Sequence, residues 1–220
     1  MQTVEVSYSP DCFNVEDVQH AKNVILGAVG DDPIEQMEER WKTETPWLTS
    51  EIAYKLCLNP EMTVVDYGCG IGRLAKGLIE STGCKIVGVD ISSSMRALAL
   101  EYVDSPNFST ISPLVWRTMV LDGTRFDSAY SVWVLQHCAY PGQIADTLKI
   151  SLVDGGLFYV VDENDRFVPT NAGWVDDRIS VEESLNKRFS LVEKGKLPVG
   201  VTSKKLSDRT ATYLYSKAKK

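Results

Sequence analysis

Apolar residues return every three or four positions through the first 57 residues, and after that the spacing changes. Val18, Ala21 and Ile25 share one face of a helix that Asn14 can cap. Asp32-Pro33-Ile34-Glu35 joins an acidic cap, a proline at the first helical position and a glutamate three residues on. It predicts a second helix, with Ile34, Met37 and Trp41 on its face. Thr45-Pro46 predicts the start of a third, carrying Leu48, Ile52 and Leu56.

Beyond Asn59-Pro60 short apolar runs alternate with helical faces. Thr63–Tyr67 reads as a strand, Gly68–Gly72 as a glycine-rich turn, and Leu74, Ala75, Leu78 and Ile79 as a helix face. Lys85–Asp90 is a second strand, followed by a helix over Ser93–Tyr102. Further strands are predicted at Phe108–Ile111, Phe126–Val134 and Gly156–Val161. Phe189–Glu193 and Thr210–Tyr215 read as two last strands joined by a loop, with no helix between them. Strand alternating with helix predicts an α/β fold: a mostly parallel sheet covered by helices on both faces, with one antiparallel strand at the end.

The chemistry concentrates where the first strand ends, in Asp66-Tyr67-Gly68-Cys69-Gly70-Ile71-Gly72. In open parallel sheets ligands bind at the carboxyl ends of the strands. Glycines there let the backbone approach a ligand, and the helix N-terminus behind them favours negative charge. Asp90 ends the second strand, where its carboxylate can accept from both hydroxyls of a ribose. A dinucleotide fingerprint needs G-x-G-x-x-G, but this loop is spaced G-x-G-x-G and Arg73 occupies the place of the third glycine. That departure speaks against an NAD-dependent oxidoreductase.

The D-x-G-x-G-x-G arrangement resembles motif I of the class I, Rossmann-like S-adenosylmethionine-dependent methyltransferases. Asp127–His137 is similar to the family's fourth strand, and Leu152–Val160 to its entry into the fifth. The resemblance covers about residues 60–163 and implies a seven-stranded sheet whose last strand is antiparallel. It also implies S-adenosyl-L-methionine as cofactor. Asp66, Gly68, Cys69, Gly70 and Gly72 would then lie against the methionine half, Asp90 would hold the ribose and Ile91 would pack on the adenine. Val132 and Trp133 would offer backbone contacts to the amino group. Ser112 stands where many members place an adenine-binding aspartate. His137 is the candidate catalytic base for the methyl acceptor, with a helix-capping role as the alternative. Cys69 reads as a small loop residue rather than a nucleophile.

Composition narrows the rest. The chain of 220 residues is 44% hydrophobic and 24% charged, enough for one domain with a real core. Its apolar stretches fall far short of a membrane span of about 20 residues. No secretory signal is visible at the start. Five cysteines without C-x-x-C spacing and two histidines predict neither a disulfide framework nor a metal site. Cysteines of this kind fit a reducing cytosol, so a cytoplasmic location is expected. The formal charge is −7, yet residues 187–220 carry a net +8 and the first 186 a net −15. A basic end of this kind suits an anionic substrate or nucleic acid, or a solvated edge of the fold; without interleaved aromatics nucleic acid is the weaker reading.

These features predict a methyltransferase acting on the oxygen, nitrogen or carbon of a small molecule, or else a non-catalytic subunit that binds the cofactor. Residues 1–57 are expected as a helical lid on a methyltransferase domain spanning 58–220. The segment Asn164–Ser180, with Arg166, Asn171, Trp174, Asp176 and Asp177, should complete the cover. The stretch Lys196–Leu206 looks too short to contribute. Trp41, Trp47 and Trp174 can serve as core or as pocket wall. Asp162 and Glu163 end the fifth strand on the side where a substrate would lie.

Overall fold

The computed structural model describes residues 6–27 and 34–218. Two helices, α1 (Val18–Gly27) and α2 (Ile34–Lys55), precede the sheet. Then come β1 (Thr63–Tyr67), α3 (Arg73–Thr82), β2 (Lys85–Val89), α4 (Ser93–Val103), β3 (Phe108–Ile111), α5 (Pro113–Leu121), β4 (Phe126–Val132), α6 (Pro141–Ser151) and β5 (Leu152–Glu163). A hairpin of β6 (Val168–Thr170) and β7 (Gly173–Val175) is followed by α7 (Val181–Asn186), β8 (Ser190–Lys196), α8 (Lys204–Arg209) and β9 (Thr210–Ser216).

The main sheet has seven strands in the order β3-β2-β1-β4-β5-β9-β8. The first five run parallel, and β9 lies antiparallel to both of its neighbours. This is the Rossmann-like sheet expected from the sequence. Period-two alternation explains its two faces. Val64 and Ile86 point into a core built with Leu48 and Ile52 of α2, Leu56 just past its end and Leu78 of α3. Val65 and Val89 point the opposite way, against Trp116, Val120, Leu148 and Leu185. Strand order reverses between β1 and β4, so a crevice opens at their carboxyl ends. Among the described residues no helix is long and apolar enough to cross a membrane.

Several local expectations need correction. Asp17, not Asn14, opens α1: its carboxylate accepts from the His20 N–H at 2.7 Å, while Asn14 accepts from the Ser92 hydroxyl at 3.2 Å. The capping signal at Asp32–Glu35 lies outside the described residues, and α2 is described from Ile34 on. Pro46 does not start a helix but sits inside α2. Proline removes one helical hydrogen bond there, and the neighbouring Thr45 hydroxyl bonds back to the Trp41 carbonyl. Strand β4 stops at Val132 instead of Val134, because Trp133 takes a left-handed backbone with φ +55°. The loop expected between the last two strands contains α8.

The tightest tie between the N-terminal helices and the sheet is ionic. Glu44 of α2 is wholly buried, yet it accepts from Arg40 Nε at 2.7 Å, Arg73 Nη2 at 3.3 Å and the Thr202 hydroxyl at 2.7 Å. Arg40 also donates to the Leu26 carbonyl at 2.6 Å, and Arg73 donates to the Thr45 hydroxyl at 2.7 Å. The Arg73 guanidinium lies 4.7 Å from the centre of the Trp41 ring. One carboxylate thus joins α1, α2, α3 and the β8–α8 connection.

Removing one member of a buried ion pair leaves the other charge uncompensated, at about 3–5 kcal/mol. Glu44→Gln is expected to lower the unfolding free energy by about that amount. The half-buried Glu51, 3.8 Å from Lys55, is the control, with a change below about 1 kcal/mol for Glu51→Gln. Urea unfolding followed by circular dichroism measures both, and equal effects would show that Glu44 is not a keystone.

Candidate functional site

The crevice above β1 and β4 widens into a cavity of about 860 Å³. One end is built by the glycine loop. Gly68 has φ +82°, and a Cβ placed there would stand 2.1 Å from Val134 Cγ2, so no other residue fits. The Gly68 and Cys69 N–H groups both donate to the Val89 carbonyl, at 2.7 and 3.2 Å, which folds the loop onto the end of β2. Asp90 clasps it from the next turn, accepting from Gly70 N–H at 2.8 Å and from Ser92 N–H at 2.9 Å. Ile25 of α1 closes the loop from above, with its Cδ1 3.0 Å from where a Gly70 Cβ would lie.

Of the expected cofactor residues, Asp66, Gly68, Cys69, Gly70, Asp90, Ile91, Val132 and Trp133 line this cavity. Gly72 and Ser112 are not in its lining. Gly72 turns the chain into α3, its N–H on the Cys69 carbonyl at 2.8 Å. The Ser112 hydroxyl caps α5 by accepting from Val115 N–H at 3.3 Å. Trp133 donates its N–H to the Val161 carbonyl at 2.7 Å, so a ligand contact there falls to its carbonyl. Ile91 is 44% exposed beside Asp90, an apolar surface ready to be covered. Trp116 also lines this end, and its buried indole N–H has no acceptor within the protein. Burial pushes the Cys69 thiol well above its usual range, which suits a packing residue rather than a nucleophile.

The other end is reached from β4, β5 and α8. His137 lines the cavity, but both ring nitrogens are engaged. Nδ1 lies 2.7 Å from the Phe167 carbonyl, which can only accept, so Nδ1 carries the proton. Nε2 is 3.3 Å from the Gln136 amide nitrogen. Burial lowers the His137 pKa and favours this neutral form. Rings of Phe13, Phe167 and Trp174 surround it at 5.5–6.5 Å. Gln136 faces two ways, for its carbonyl oxygen also accepts from the Glu163 N–H at 2.7 Å. Glu163, nearly buried, pairs with Arg209 Nη2 at 2.7 Å and lines the cavity. Asp162 does not line it and is occupied with the Gln136 N–H at 3.2 Å.

The cover differs from expectation. Residues 7–9 pair with the β6–β7 hairpin: Ser9 N–H donates to the Pro169 carbonyl and Asn171 N–H to the Ser7 carbonyl, each at 3.0 Å. Val15 N–H then reaches the Ser94 hydroxyl at 2.8 Å, so this strip crosses the cavity and presents Tyr8 and Phe13 to it. No residue of Asn164–Ser180 lines the cavity. Arg166 instead anchors that segment, donating to the Leu135 and Cys138 carbonyls and pairing with Asp177 at 2.9 Å. The stretch thought too short to contribute does: Gly200, Val201, Thr202, Ser203, Lys205 and Leu206 line the cavity. It gets there because Thr202 is drawn to Glu44 and the Val201 carbonyl accepts from the Thr43 hydroxyl at 3.1 Å. Among the described residues no cluster of His, Cys, Asp and Glu could hold a metal ion.

Residues 65–160 match a family model described as a methyltransferase domain. A sterol 24-C-methyltransferase of Gibberella zeae is 25% identical over 114 residues, covering 50% of this chain and 30% of that protein. A 2-methyl-6-phytyl-1,4-hydroquinone methyltransferase of Synechocystis sp. is 30% identical over 155 residues, covering 68% of this chain and 48% of that one. The chain therefore spans less than half the length of either relative. Among solved structures, a phosphoethanolamine N-methyltransferase of Haemonchus contortus in complex with S-adenosyl-L-methionine shares the fold. It has a TM-score of 0.57 at 15% identity, over 78% of this chain and 52% of that one.

Burial raises the Asp66 carboxyl to about 7. Its value in the unfolded chain is about 4, so between these limits the folded form keeps a proton that the unfolded form has lost. The stability of the wild type relative to Asp66→Asn should therefore fall as pH rises from 4 to 7, by up to roughly 1.4 kcal/mol per unit. Carbon-detected NMR titration should show a midpoint near 7 for this carboxyl. A midpoint below 5 would place it in contact with water.

Proposed function

Through residues 65–160 the chain belongs to the class I S-adenosylmethionine-dependent methyltransferase family, and from that premise we propose that it methylates a small-molecule acceptor. The observation that carries this reading is the single cavity joining the Gly68–Gly72 loop and Asp90 to the Glu163–Arg209 pair. A cofactor end and an acceptor end share one continuous cavity. The names of the relatives point to small acceptors, a sterol and a substituted hydroquinone.

The residues at the loop end suit an adenosyl amino acid. Asp90 accepts from ribose hydroxyls, Ile91 and the Trp116 ring offer apolar faces to a base, and the unmatched Trp116 N–H offers a donor. Asp66 and the Trp133 carbonyl would be the acceptors for the cofactor's cationic amino group. S-adenosylmethionine, when bound, supplies a methyl group already activated on a sulfonium. The protein's part is to align and dehydrate. Alignment for in-line displacement is worth roughly 7–11 kcal/mol. Tyr8 and Phe13 exclude water from above, and α1 presses on the loop. At the acceptor end Glu163 can take a proton on its carboxylate when the nucleophile must lose one. Burial raises its pKa against the pull of Arg209, which strengthens it as a base. His137, with both nitrogens committed, positions Glu163 through Gln136.

S-adenosylhomocysteine should bind with micromolar affinity by calorimetry, while NAD does not bind. Asp90→Ala should weaken that affinity by about 1.5–3 kcal/mol, through loss of charge-assisted hydrogen bonds. Gly70→Val should abolish it, because the side chain both collides with Ile25 and fills the approach to the loop. Wild-type affinity in both variants would reduce the loop to a structural turn.

The first residues act as a lid in this proposal, narrower than the whole helical segment. Deleting residues 1–13 spares both cores of the sheet yet removes Tyr8 and Phe13. The melting temperature should change little and S-adenosylhomocysteine affinity should fall at least roughly tenfold, about 1.4 kcal/mol. Unchanged affinity would refute the lid.

A further inference from the structure

Three of the ten basic residues in 187–220 are held in surface ion pairs: Arg188 with Asp146, Lys194 with Glu182 and Lys217 with Asp154. Two cations of that region, Lys205 and Arg209, line the cavity. Lys205 and Arg209 stand one turn apart on α8. Lys205 is exposed and has no ion pair among the described residues. Arg209 lies in ion pairs with two carboxylates, Nη2 2.7 Å from Glu163 Oε2 and Nε 3.7 Å from Asp165 Oδ2, yet its buried Nε and Glu163 Oε2 have no hydrogen-bond partner within the protein. The Phe167 ring, 5.3 Å from the guanidinium carbon, packs against its flat face. Arg40, also in the lining, is held by Glu44 and the Leu26 carbonyl.

A buried donor without an acceptor costs about 1–3 kcal/mol. A planar guanidinium with a free edge matches carboxylate and phosphate oxygens, and an ammonium one turn away adds a second contact. We propose that Arg209 and Lys205 recognise an acid group, carboxylate or phosphate, on the methyl acceptor, and so determine which small molecules the enzyme accepts. This rests on the methyltransferase reading above. It also gives Glu163 a second state: as the acceptor's acid group draws on Arg209, Glu163 is freed to take the proton of the reacting O–H or N–H.

The test uses the full chain loaded with S-adenosylhomocysteine, and matched probes that differ in charge: phenylacetate against phenylacetamide, and phenyl phosphate against phenol. Calorimetry or ligand-observed NMR should give at least a tenfold preference for the charged member of one pair, and that pair names the acid. Lys205→Gln, on an exposed residue, should cut the preference several-fold; Arg209→Gln should erase it and Arg209→Lys should keep part of it. S-adenosylhomocysteine affinity should stay the same in all three. Failure of S-adenosylhomocysteine to bind the wild type would overturn the methyltransferase reading and this proposal with it. Binding of S-adenosylhomocysteine with no charge preference at millimolar probe, or a preference that survives both glutamine variants, overturns this proposal alone.

Discussion

A carboxylate with no access to water must be neutralised by what packs around it, and Glu44 sets the geometry of this molecule for that reason. Its partners come from three places in the chain, Arg40 on the same helix, Arg73 behind the glycine loop and Thr202 ahead of α8. Arg73 occupies the first turn of α3, where the helix dipole disfavours a cation. Glu44 offsets that penalty and holds the guanidinium beside Trp41. Through Thr202 the same carboxylate fixes the segment that leads to Lys205 and Arg209. Both ends of the cavity therefore hang on one pair of oxygens.

Between those ends, polarity is rationed. The walls are mostly apolar, and each buried polar group has a defined task or a defined vacancy. Gln136 illustrates the first kind, its amide oriented by Glu163 on one side and His137 on the other. The Trp116 indole N–H and Arg209 Nε illustrate the second. Desolvation raises Asp66 and Glu163 and lowers His137, so the cavity stores less charge than its residue list suggests.

Local signals in the chain were read well where one element decides its own structure. Alternation at Val64-Val65 places two faces of a strand without any partner being known, and the glycines at 68, 70 and 72 announce a turn that only positive φ can make. What escaped depends on distant partners. Pro46 looks like a helix start, yet a helix held by Leu48 and Ile52 in the core and by Glu44 in the ion network runs through it. Local propensity is a weak prior against such packing. Lys196–Leu206 seemed too short to reach the site because nothing local tells that Thr202 is drawn inward by a glutamate 158 positions away. The excess of lysine and arginine near the end of the sequence is visible, but only the fold separates Lys205 and Arg209, at the cavity, from the cations bound at the surface.

The insertion of β9 between β5 and β8 imposes an order of events on a growing chain. Until residue 216 has left the ribosome, β5 presents an open edge of backbone N–H and C=O groups with apolar side chains on both sides. Such an edge invites pairing with other chains. The parallel half of the sheet can gather earlier, but the strand that seals it comes after α8, and α8 with the residues just ahead of it finishes the cavity. Nascent forms of this protein are thus both incomplete at the site and exposed at the edge, and a chaperone that shields β5 would serve folding and function at the same moment.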